Sequence, residues 1–322
     1  MKKKRVLIID QLNLFFRSYI VNPTLSSNGY PIGGLVGVIK SLQKICRETK
    51  PDRIVICWDG EGGSAKRKLL KKDYKAGRKP IRLNREIRNL SETAEKTNKR
   101  WQLERTVEYL NEMPVLQFMF RGIEADDVIA YICKSKHLEG WEKIIVSSDK
   151  DFFQLVDDET ILYRPIQKKI VTKKTLIEEF NIHPNNFAMA RAMVGDKSDN
   201  LEGVGGMGLK TVAKRYPFFS EEHSVTLDEL QKYSQEMLSE KKIKAYENVV
   251  DNDDILERNY HMMQLYTPSM SIKSKKQIHE TLINPDLSFN KTEIIRMMAA
   301  DGFEDLDWLE LQASFRRIAL DN

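Results

Sequence analysis

The alternation of short apolar segments with amphipathic ones constrains the first half of this 322-residue chain more than any other feature. The apolar segments are five or six residues long, as buried strands are, and between several of them apolar residues recur at three- and four-residue intervals. This order predicts an α/β fold, a mostly parallel sheet with helices on both faces. The predicted strands are 5–9, 53–58, 115–120, 143–147 and 160–164, and the predicted helices are 33–48 and 124–136.

Beyond about residue 174 the pattern becomes helical, and we expect no further strands there. Apolar residues with helical spacing occupy 185–195 and 290–303, and the Pro and Gly content marks no flexible linker. The sequence therefore predicts an α/β core over residues 1–173, followed by a helical region over residues 174–322 that packs on the sheet.

Composition argues against a membrane span and against a disulfide framework. No run of about eighteen apolar residues occurs, and the basic start of the chain lacks the apolar core of a signal peptide. The cysteines Cys46, Cys57 and Cys133 are odd in number and lie outside any CxxC spacing, so we expect reduced packing residues. A soluble, cytoplasmic protein that does not bind membranes is the resulting expectation.

Positive charge is concentrated in one segment. The net charge of the chain is +5, but residues 64–88 contain eleven basic and two acidic residues, which gives this segment +9 and leaves −4 for the rest. Such a concentration is typical of proteins that bind polyanions. The surrounding polar stretch, 61–100, is too long for an ordinary connection, and we interpret it as a functional loop or arch.

Within the basic segment, Gly77 and Pro80 interrupt the helical pattern and present their neighbours on a bend. An aromatic ring among cations can stack on a base while the cations hold phosphate, which gives Tyr74, Lys75 and Arg78 a candidate nucleic-acid role. The alternative is a solvated surface without such a function, and the residues alone leave both interpretations open.

Acidic residues follow several of the predicted strands in five short clusters. A single such residue is more often a helix N-cap or a first-turn acid that complements the helix dipole. Gathered at the carboxyl edge of a parallel sheet, however, carboxylates repel one another unless cations neutralise them, so together they predict a divalent-metal site. The nine residues are Asp10, Asp59, Glu124, Asp126, Asp127, Asp149, Asp151, Asp196 and Asp199.

The ligand chemistry of these clusters narrows the choice of metal. None of the five histidines lies in them, and oxygen ligands alone indicate Mg²⁺, with Mn²⁺ as a substitute, rather than Zn²⁺. Two such ions about 4 Å apart are the usual machinery for hydrolysing phosphodiesters. The clusters therefore predict two cations acting on an anionic substrate.

Glycines crowd the stretch ahead of Lys210. A P-loop is excluded because Leu209 separates Gly208 from Lys210, and a Rossmann turn is excluded because the stretch lies in the predicted helical region. Two interpretations remain open: a tight turn, or a helix-hairpin-helix turn whose amides meet the DNA backbone without reading sequence. The residues concerned are Gly203, Gly205, Gly206, Gly208 and Lys210.

Six blocks in order resemble the flap endonuclease or 5′-nuclease superfamily, in particular stand-alone phage 5′-3′ exonucleases of the ribonuclease H-like kind and the 5′-nuclease domain of bacterial DNA polymerase I. The blocks are LIID, CWDG, RKLLKKDYKAGRKP, GIEADDVIA, SSDKDFFQLV and VGDKSDNLEGVGGMGLKTVAK. The resemblance implies a PIN-like or 5′-nuclease-like α/β nuclease core with a helical arch at 61–100 and a helix-hairpin-helix near 195–216. It fades after about residue 217, and the C-terminal helices have no assigned role.

The resemblance also implies roles for the candidate residues. A first cation would be held by Asp10, Asp59, Glu124 and Asp126. Asp149 and Asp151 would lie between two cations, Asp196 would hold the second, and Asp127 and Asp199 would act through water. Lys75 and Arg78 would act in catalysis from the arch, and Tyr74 would stack on the 5′ strand. Further DNA contacts are expected from Lys66, Arg67, Lys71, Lys79 and the glycine turn, which in this family commonly holds K⁺.

A member of this family would be a structure-specific, metal-dependent nuclease that cuts 5′ flaps or removes nucleotides and RNA primers during replication or repair, leaving a 5′-phosphate. Branched or nicked DNA and RNA–DNA duplexes are its expected partners, with single-stranded DNA-binding and other replication proteins as further candidates. We expect a monomer in the cytoplasm, or in the host cytoplasm for a phage enzyme. The balance of flap and exonuclease activity and the use of a third metal stay open.

Three alternatives compete with this interpretation. A PIN-type ribonuclease shares the sheet and several carboxylates but lacks an arch and a helix-hairpin-helix turn. A flap- or duplex-binding protein with weak or no catalysis would be favoured by missing carboxylates, and none is missing. A phosphatase that uses SDKD as its nucleophile motif is weaker still, because that motif belongs after the first strand.

Overall fold

The computed structural model describes residues 3–87, 90–303 and 306–319, without the side chains of residues 308, 316, 317 and 319. Arg88 of the basic segment and the last three residues of the predicted helical region lie outside the described residues.

A six-stranded sheet forms the centre of the fold, as the alternating apolar segments predict. Its strands are β1 Arg5–Asp10, β2 Arg53–Trp58, β3 Leu116–Met119, β4 Glu142–Val146, β5 Thr160–Arg164 and β6 Lys169–Val171. They lie in the order β3-β2-β1-β4-β5-β6, and all neighbours are parallel except β5 and β6. The chain moves outward from β1 through β2 to β3 and then returns to the other side of β1 with β4. The carboxyl ends of β1 and β4 therefore flank a topological switch point, where ligands of open α/β sheets usually bind.

Helices cover the sheet and make up the rest of the chain. Those within the α/β core are α1 Gln11–Val21, α2 Gly33–Thr49, α3 Ala65–Leu70, α4 Glu92–Asn111 and α5 Ala125–Cys133. Those that follow the sheet are α6 Lys173–Phe180, α7 Phe187–Val194, α8 Leu209–Arg215, α9 Leu227–Glu240, α10 Lys244–Asp251, α11 Asp253–Met263, α12 Ile272–Ile283, α13 Lys291–Asp301 and α14 Trp308–Ala319. The mostly parallel α/β fold and the helical second half are thus as predicted.

Two predictions need correction. The expectation of no strands beyond residue 174 is wrong, because a small antiparallel pair, β7 Gly195–Asp196 and β8 Leu201–Glu202, lies in the acidic motif. The end of the predicted arch at residue 100 also changes. Its last residues, 92–100, belong to α4, where the buried Gln102 accepts hydrogen bonds from the first turn of α2. We therefore use the name arch segment for residues 61–91 only.

One cluster of buried apolar residues runs from the sheet into the helices of the second half, so α7, α11 and α14 pack against the same core as β1 and α2. The proposed boundary near residue 173 stays a prediction. All three cysteines are buried and free, as expected of packing residues. Among the described helices, none has both the length and the apolar character that crossing a membrane requires.

Candidate functional site

A pocket at the carboxyl edge of the sheet brings together seven of the nine candidate carboxylates. We call it the carboxylate pocket, and its acidic residues are Asp10, Asp59, Asp126, Asp149, Asp151, Asp196 and Asp199. The arch segment lines the same pocket with Arg67, Tyr74, Lys75 and Arg78. One cavity is therefore lined both by carboxylates and by mainly cationic side chains of the arch segment.

Asp10 lies at the switch point, where β1 ends and α1 begins. Its Oδ1 caps α1 by accepting the Asn13 amide at 3.2 Å, and its Oδ2 accepts the hydroxyl of Ser147, which follows β4, at 2.8 Å. Asp59 follows β2 in the same way and accepts the Ala125 amide at the start of α5 at 2.7 Å. Both carboxylates thus follow a strand and accept a hydrogen bond from an amide at the start of a helix, and both line the same pocket.

Glu124 and Asp126 bracket the first residue of α5. Glu124 is buried and accepts the Ser64 hydroxyl at 2.7 Å and the Lys75 Nζ at 2.5 Å, and it also pairs with Arg67. Asp126 faces the carboxylate pocket directly. The two arch cations on Glu124 hold the arch segment down over the pocket.

Asp127 is not brought to the carboxylate pocket. Successive residues of an α-helix point about 100° apart, and on α5 this places Asp126 in the lining of the pocket and Asp127 outside it. Asp127 instead accepts the Ser269 amide at 2.9 Å and lies 3.3 Å from Arg67 Nη1. Its assignment as a metal residue stays a prediction without support from this geometry.

The second group of carboxylates is organised by an arginine that the sequence analysis missed. Arg191 of α7 donates to Asp151 at 3.0 Å and to Asp196 at 2.5 Å, and its side chain is largely buried. Asp149 accepts the Asp151 amide at 2.8 Å, which shapes the loop after β4. A single arginine within the otherwise apolar FAMARAMV helix was the available signal, because a lone buried charge needs a partner.

Burial and mutual repulsion change the charges of this pocket. Burial, with Asp59 and Asp149 nearby, raises the pKa of Asp10 to about 7. Burial, followed by the charge of Asp149, raises the pKa of Asp151 to about 7 against the opposing effect of Arg191. The pKa of Asp126 is raised well above its usual value by burial and by Asp149 and Asp10. Carboxylates in such surroundings ionise readily only when cations neutralise them.

Asp196 behaves differently from these three. Burial alone would raise its pKa, but the Ser198 hydroxyl and amide, at 2.6 and 2.7 Å, and the charge of Arg191 together lower it. The pocket therefore combines groups that resist ionisation with one that stays ionised, which is the pattern that marks functional carboxylates.

The cationic candidates of the arch segment are engaged with protein groups. Arg78 pairs with Asp199, and the Lys75 amide donates to the Asp199 carbonyl at 2.9 Å while Lys75 adopts a left-handed backbone conformation. Lys71 pairs with Glu202 at 3.0 Å, whereas Lys79 is exposed. Tyr74, predicted to stack on a base, is buried against Leu201, Met262 and Met263. Its ring is covered in this arrangement, so stacking requires movement of the segment.

The glycine turn divides into a packed part and an open part. A Cβ on Gly203 would overlap the Val194 carbonyl, because the backbone of Gly195 passes directly beside it. Gly206, with φ +79°, and Gly208 have open space around them, and Lys210 is exposed in the first turn of α8. Asn248 of α10 donates to the Gly205 carbonyl at 2.8 Å. The open amides and Lys210 suit an anionic backbone, and Gly203 serves chain packing.

The donor set fits divalent cations that prefer oxygen, although no group of three or more acidic, histidine or cysteine side chains within the described ranges is arranged as a ready-made metal centre. The raised pKa values of Asp10, Asp126 and Asp151 supply the reason for the fit, since a cation would offset the burial and the mutual repulsion that raise them. The carboxylates of this arrangement can bind cations, and the cationic side chains of the arch segment can bind phosphate.

Comparisons with known proteins agree with this arrangement. Residues 5–181 match the family described as 5′-3′ exonuclease, N-terminal resolvase-like domain. The chain is 27% identical over 318 residues to a 5′-3′ exonuclease of Aquifex aeolicus, a match that covers 98% of this chain and 99% of that protein. It is 32% identical over 213 residues to the thermostable DNA polymerase I of Thermus aquaticus, covering 66% of this chain and 24% of the polymerase. The chain thus spans about a quarter of the length of that polymerase.

Solved structures resemble the fold over most of its length. The bacteriophage T5 5′-exonuclease, solved with divalent zinc ions, aligns with a TM-score of 0.68 at 20% identity and covers 87% of this chain and 98% of that one. Human GEN1 in complex with Holliday junction DNA aligns with a TM-score of 0.60 at 11% identity, covering 97% of this chain and 71% of that one. At these identities the likeness establishes the fold.

Proposed function

Since this chain belongs to the family of 5′-3′ exonuclease N-terminal domains, we propose that it is a structure-specific 5′ nuclease, which hydrolyses phosphodiesters in 5′ DNA flaps and RNA primers with two divalent cations. The observation that carries this proposal is the single cavity in which seven carboxylates face the cations of the arch segment. The carboxylates can hold metal, and the cations of the arch segment can hold the substrate phosphates that metal alone would not orient.

The cations proposed for this site are Mg²⁺, with Mn²⁺ as a substitute. When bound, two such ions supply a water of lowered pKa and neutralise the charge that develops on the phosphate. For the first ion we propose Asp10, Asp59, Glu124 and Asp126. For the second we propose Asp196, with Asp149 and Asp151 between the two and Asp199 acting through water. Arg191 would keep Asp151 and Asp196 oriented toward the same point.

The arch segment would exchange protein carboxylates for substrate phosphates. Lys75 and Arg78 now pair with Glu124 and Asp199, and when cations neutralise those carboxylates the two side chains become available to phosphate oxygens beside the reacting bond. Tyr74 would then leave its buried position and stack on the 5′ strand. In this proposal the arch segment positions the substrate, and such positioning can remove a large part of the activation barrier.

The turn after β8 would grip the duplex beside the cut. The backbone at Gly206 and Gly208 has open space around it, and together with the exposed Lys210 it suits contact with a sugar-phosphate backbone, while Gly205 is contacted by Asn248. K⁺ is a further candidate ligand there. We also propose branched or nicked DNA and RNA–DNA duplexes as substrates, with replication proteins as partners of a cytoplasmic monomer. Phosphate contacts of this kind fix position without reading base sequence, so structure specificity is the expected outcome.

A cleavage assay with two substrates tests the proposal. A 5′-labelled flap duplex and a matched single strand are incubated with Mg²⁺ or with EDTA, and products are resolved by length. We expect metal-dependent product from the flap duplex and little from the single strand. Absence of product from both in Mg²⁺ would contradict the nuclease activity, and equal cutting of both would contradict structure specificity.

Asp149→Asn supplies the matched variant for this assay. Because Asp149 lines the pocket and would be a ligand of the proposed cations, the amide should abolish cleavage while flap binding, measured by fluorescence anisotropy in Ca²⁺, persists. Asp158→Asn is the control, since Asp158 is 81% exposed, follows the same loop and pairs only with Lys173 among the described ion pairs. Turnover of Asp149→Asn near that of Asp158→Asn would refute the metal role of Asp149.

A further inference from the structure

The base of the arch segment is tied to a distant part of the chain, residues 262–269, which comprise the end of α11 and most of the connection to α12. Arg67 Nε donates to the Met262 carbonyl at 2.8 Å, and Lys66 Nζ donates to the Ser269 carbonyl at 3.2 Å and to its hydroxyl at 2.9 Å. These contacts span nearly two hundred residues of sequence. The first turn of α3 is therefore held by a segment of the helical second half.

The 262–269 segment is in turn fixed to the loop that carries the central carboxylates. Gln154 is buried and donates to the Met263 carbonyl at 3.0 Å and to the Asp151 carbonyl at 2.8 Å. Its Oε1 accepts the Leu265 amide at 2.6 Å. Because one side chain joins the carboxylate loop to this segment, the position of the segment is set relative to the carboxylate pocket.

Asp127 connects these two sets of contacts. Its Oδ1 accepts the Ser269 amide at 2.9 Å, and its Oδ2 lies 3.3 Å from Arg67 Nη1. Arg67 also pairs with Glu124, so one largely buried guanidinium joins a carboxylate of the proposed metal site to one outside it. Asp127 itself is 6% exposed and hydrogen-bonded, and such a charge is costly to remove or to leave without a partner.

We propose that Asp127 is a positioning residue that anchors the arch segment, through Arg67, to the 262–269 segment, and that it does not bind a cation. By holding Arg67 and Ser269 together it sets where α3 leaves the core, and so where Lys75 and Arg78 lie above the carboxylates. This gives the segment between α11 and α12 a function that no sequence motif reveals. The kinetic part of the proposal rests on the proposed nuclease function, and the anchoring itself does not.

The rate of limited trypsin digestion within residues 66–79, measured without DNA, tests the anchoring directly, since this stretch contains many Lys and Arg cleavage sites. Loss of a charged hydrogen-bond network should increase local opening, and we expect cleavage in this stretch to be about tenfold faster in Asp127→Ala. Asp127→Asn should be intermediate, because its amide oxygen can still accept from Ser269 while the charge facing Arg67 is lost. This conservative variant also keeps the test valid should the alanine variant not fold.

Titration calorimetry with Mn²⁺ alone separates anchoring from metal binding. We expect both Asp127 variants to bind Mn²⁺ within about twofold of wild type, whereas Asp126→Asn should weaken binding by about tenfold or more, since even outer-shell changes cost that much. On a flap duplex, the Asp127 variants should raise KM more than they lower kcat, and Asp126→Asn should mainly lower kcat.

Two outcomes would overturn the proposal. Unchanged trypsin cleavage of residues 66–79 in both Asp127 variants would show that the contact does not hold the arch segment. A loss of Mn²⁺ affinity equal to that of Asp126→Asn would make Asp127 a cation ligand. A wild-type protein that cuts no flap in Mg²⁺ would instead contradict the nuclease function, and the digestion and Mn²⁺ results would still decide the role of Asp127.

Discussion

Burial sets the charge of individual carboxylates in the pocket, and this has a consequence for stability. The pKa values of Asp10 and Asp151 are raised to about 7, first by burial and then by neighbouring carboxylates, whereas both would titrate near about 4 in the unfolded chain. Between about pH 4 and 7 the folded, metal-free protein therefore holds protons that the unfolded chain has released. Its stability should fall as the pH rises through this window, and cation binding should offset the fall.

Asp10→Asn isolates one of these groups. The amide cannot ionise and is as good an N-cap as aspartate, so the hydrogen bond from Asn13 is kept. We expect the metal-free variant to melt about 3 °C or more above wild type at pH 8, little differently at pH 4, and with a smaller increase on adding Mg²⁺. Thermal unfolding at both pH values, with EDTA or Mg²⁺, measures these shifts.

The exposed Asp158 provides the control for this prediction, because Asp158→Asn should not change the difference between pH 4 and pH 8. An Asp10→Asn protein that melts below wild type at pH 8 in EDTA would contradict the idea that the ionised carboxylate is unfavourable in the free protein. The direction of the shift, rather than its size, therefore decides the question.

At the scale of helices and strands, sequence patterns predicted the elements with apolar periodicity and missed those without it. β2 and β5 have the bounds expected. α4 was missed because polar residues lie on all sides of this helix, so that it has no continuous apolar face. β7 and β8 were missed because two-residue strands leave no periodic pattern.

The candidate site shows the same division. Residues that follow strands, such as Asp10 and Asp59, could be placed at the sheet edge because parallel strands share that edge. The direction of Asp127 and the partners of Arg191 depend on helix phase and on long-range packing, and neither follows from the motif spacing on which the site prediction rests. The covered ring of Tyr74 depends on residues nearly two hundred positions away.

The hairpin of β7 and β8 gives a prediction at this scale. The backbones of Gly195 and Gly203 are in close contact. A side chain on Gly203 would therefore overlap the Val194 carbonyl and displace the hairpin that carries Asp196 and Asp199. We expect Gly203→Ala to lower the free energy of unfolding by about 2 kcal/mol or more, as overpacking of a rigid backbone does. Urea denaturation measures this change.

Gly208→Ala is the matched control within the same turn. Gly208 has extended backbone angles and open space, so the alanine should fold with a cost of under about 1 kcal/mol, set by the poorer N-cap of α8. Under the proposed function it should weaken duplex binding despite normal stability. Equal destabilisation by the two substitutions would refute the division of the turn into a packed and an open part.

At the scale of the whole molecule, α13 and α14 complete the core outside the lining of the carboxylate pocket, whereas α11 lines the pocket with Met262 and Met263. α14 packs on α2, and the end of α13 packs on α4, where the Phe303 ring lies edge-on to Tyr109. The Gly302 carbonyl accepts the Ser27 amide at 2.9 Å. None of these residues lines the pocket. The final helices therefore support the scaffold that the sheet edge requires, rather than contributing groups to the site.

Asp301 tests this division between support and site. It is nearly buried, and its Oδ2 accepts both Arg105 Nε at 2.7 Å and the Tyr109 hydroxyl at 2.9 Å. Removing the acceptor leaves two donors of α4 without their partner, so Asp301→Ala should lower the free energy of unfolding by about 2–3 kcal/mol. Glu104→Ala, which removes an exposed ion pair with Arg100 on the same helix, should cost under about 0.5 kcal/mol.

The two measurements together separate the scaffold from the site. Because the hydrogen bonds to the Asp301 side chain in the described part of the chain come from α4, away from the pocket lining, the folded Asp301→Ala protein should bind Mn²⁺ with wild-type affinity by calorimetry at a temperature well below its melting transition. Lost stability with unchanged Mn²⁺ binding is therefore the expected pair of results. Weaker Mn²⁺ binding in the folded variant would mean that α13 and α4 help to set the carboxylate geometry, and α13 would then belong to the functional site.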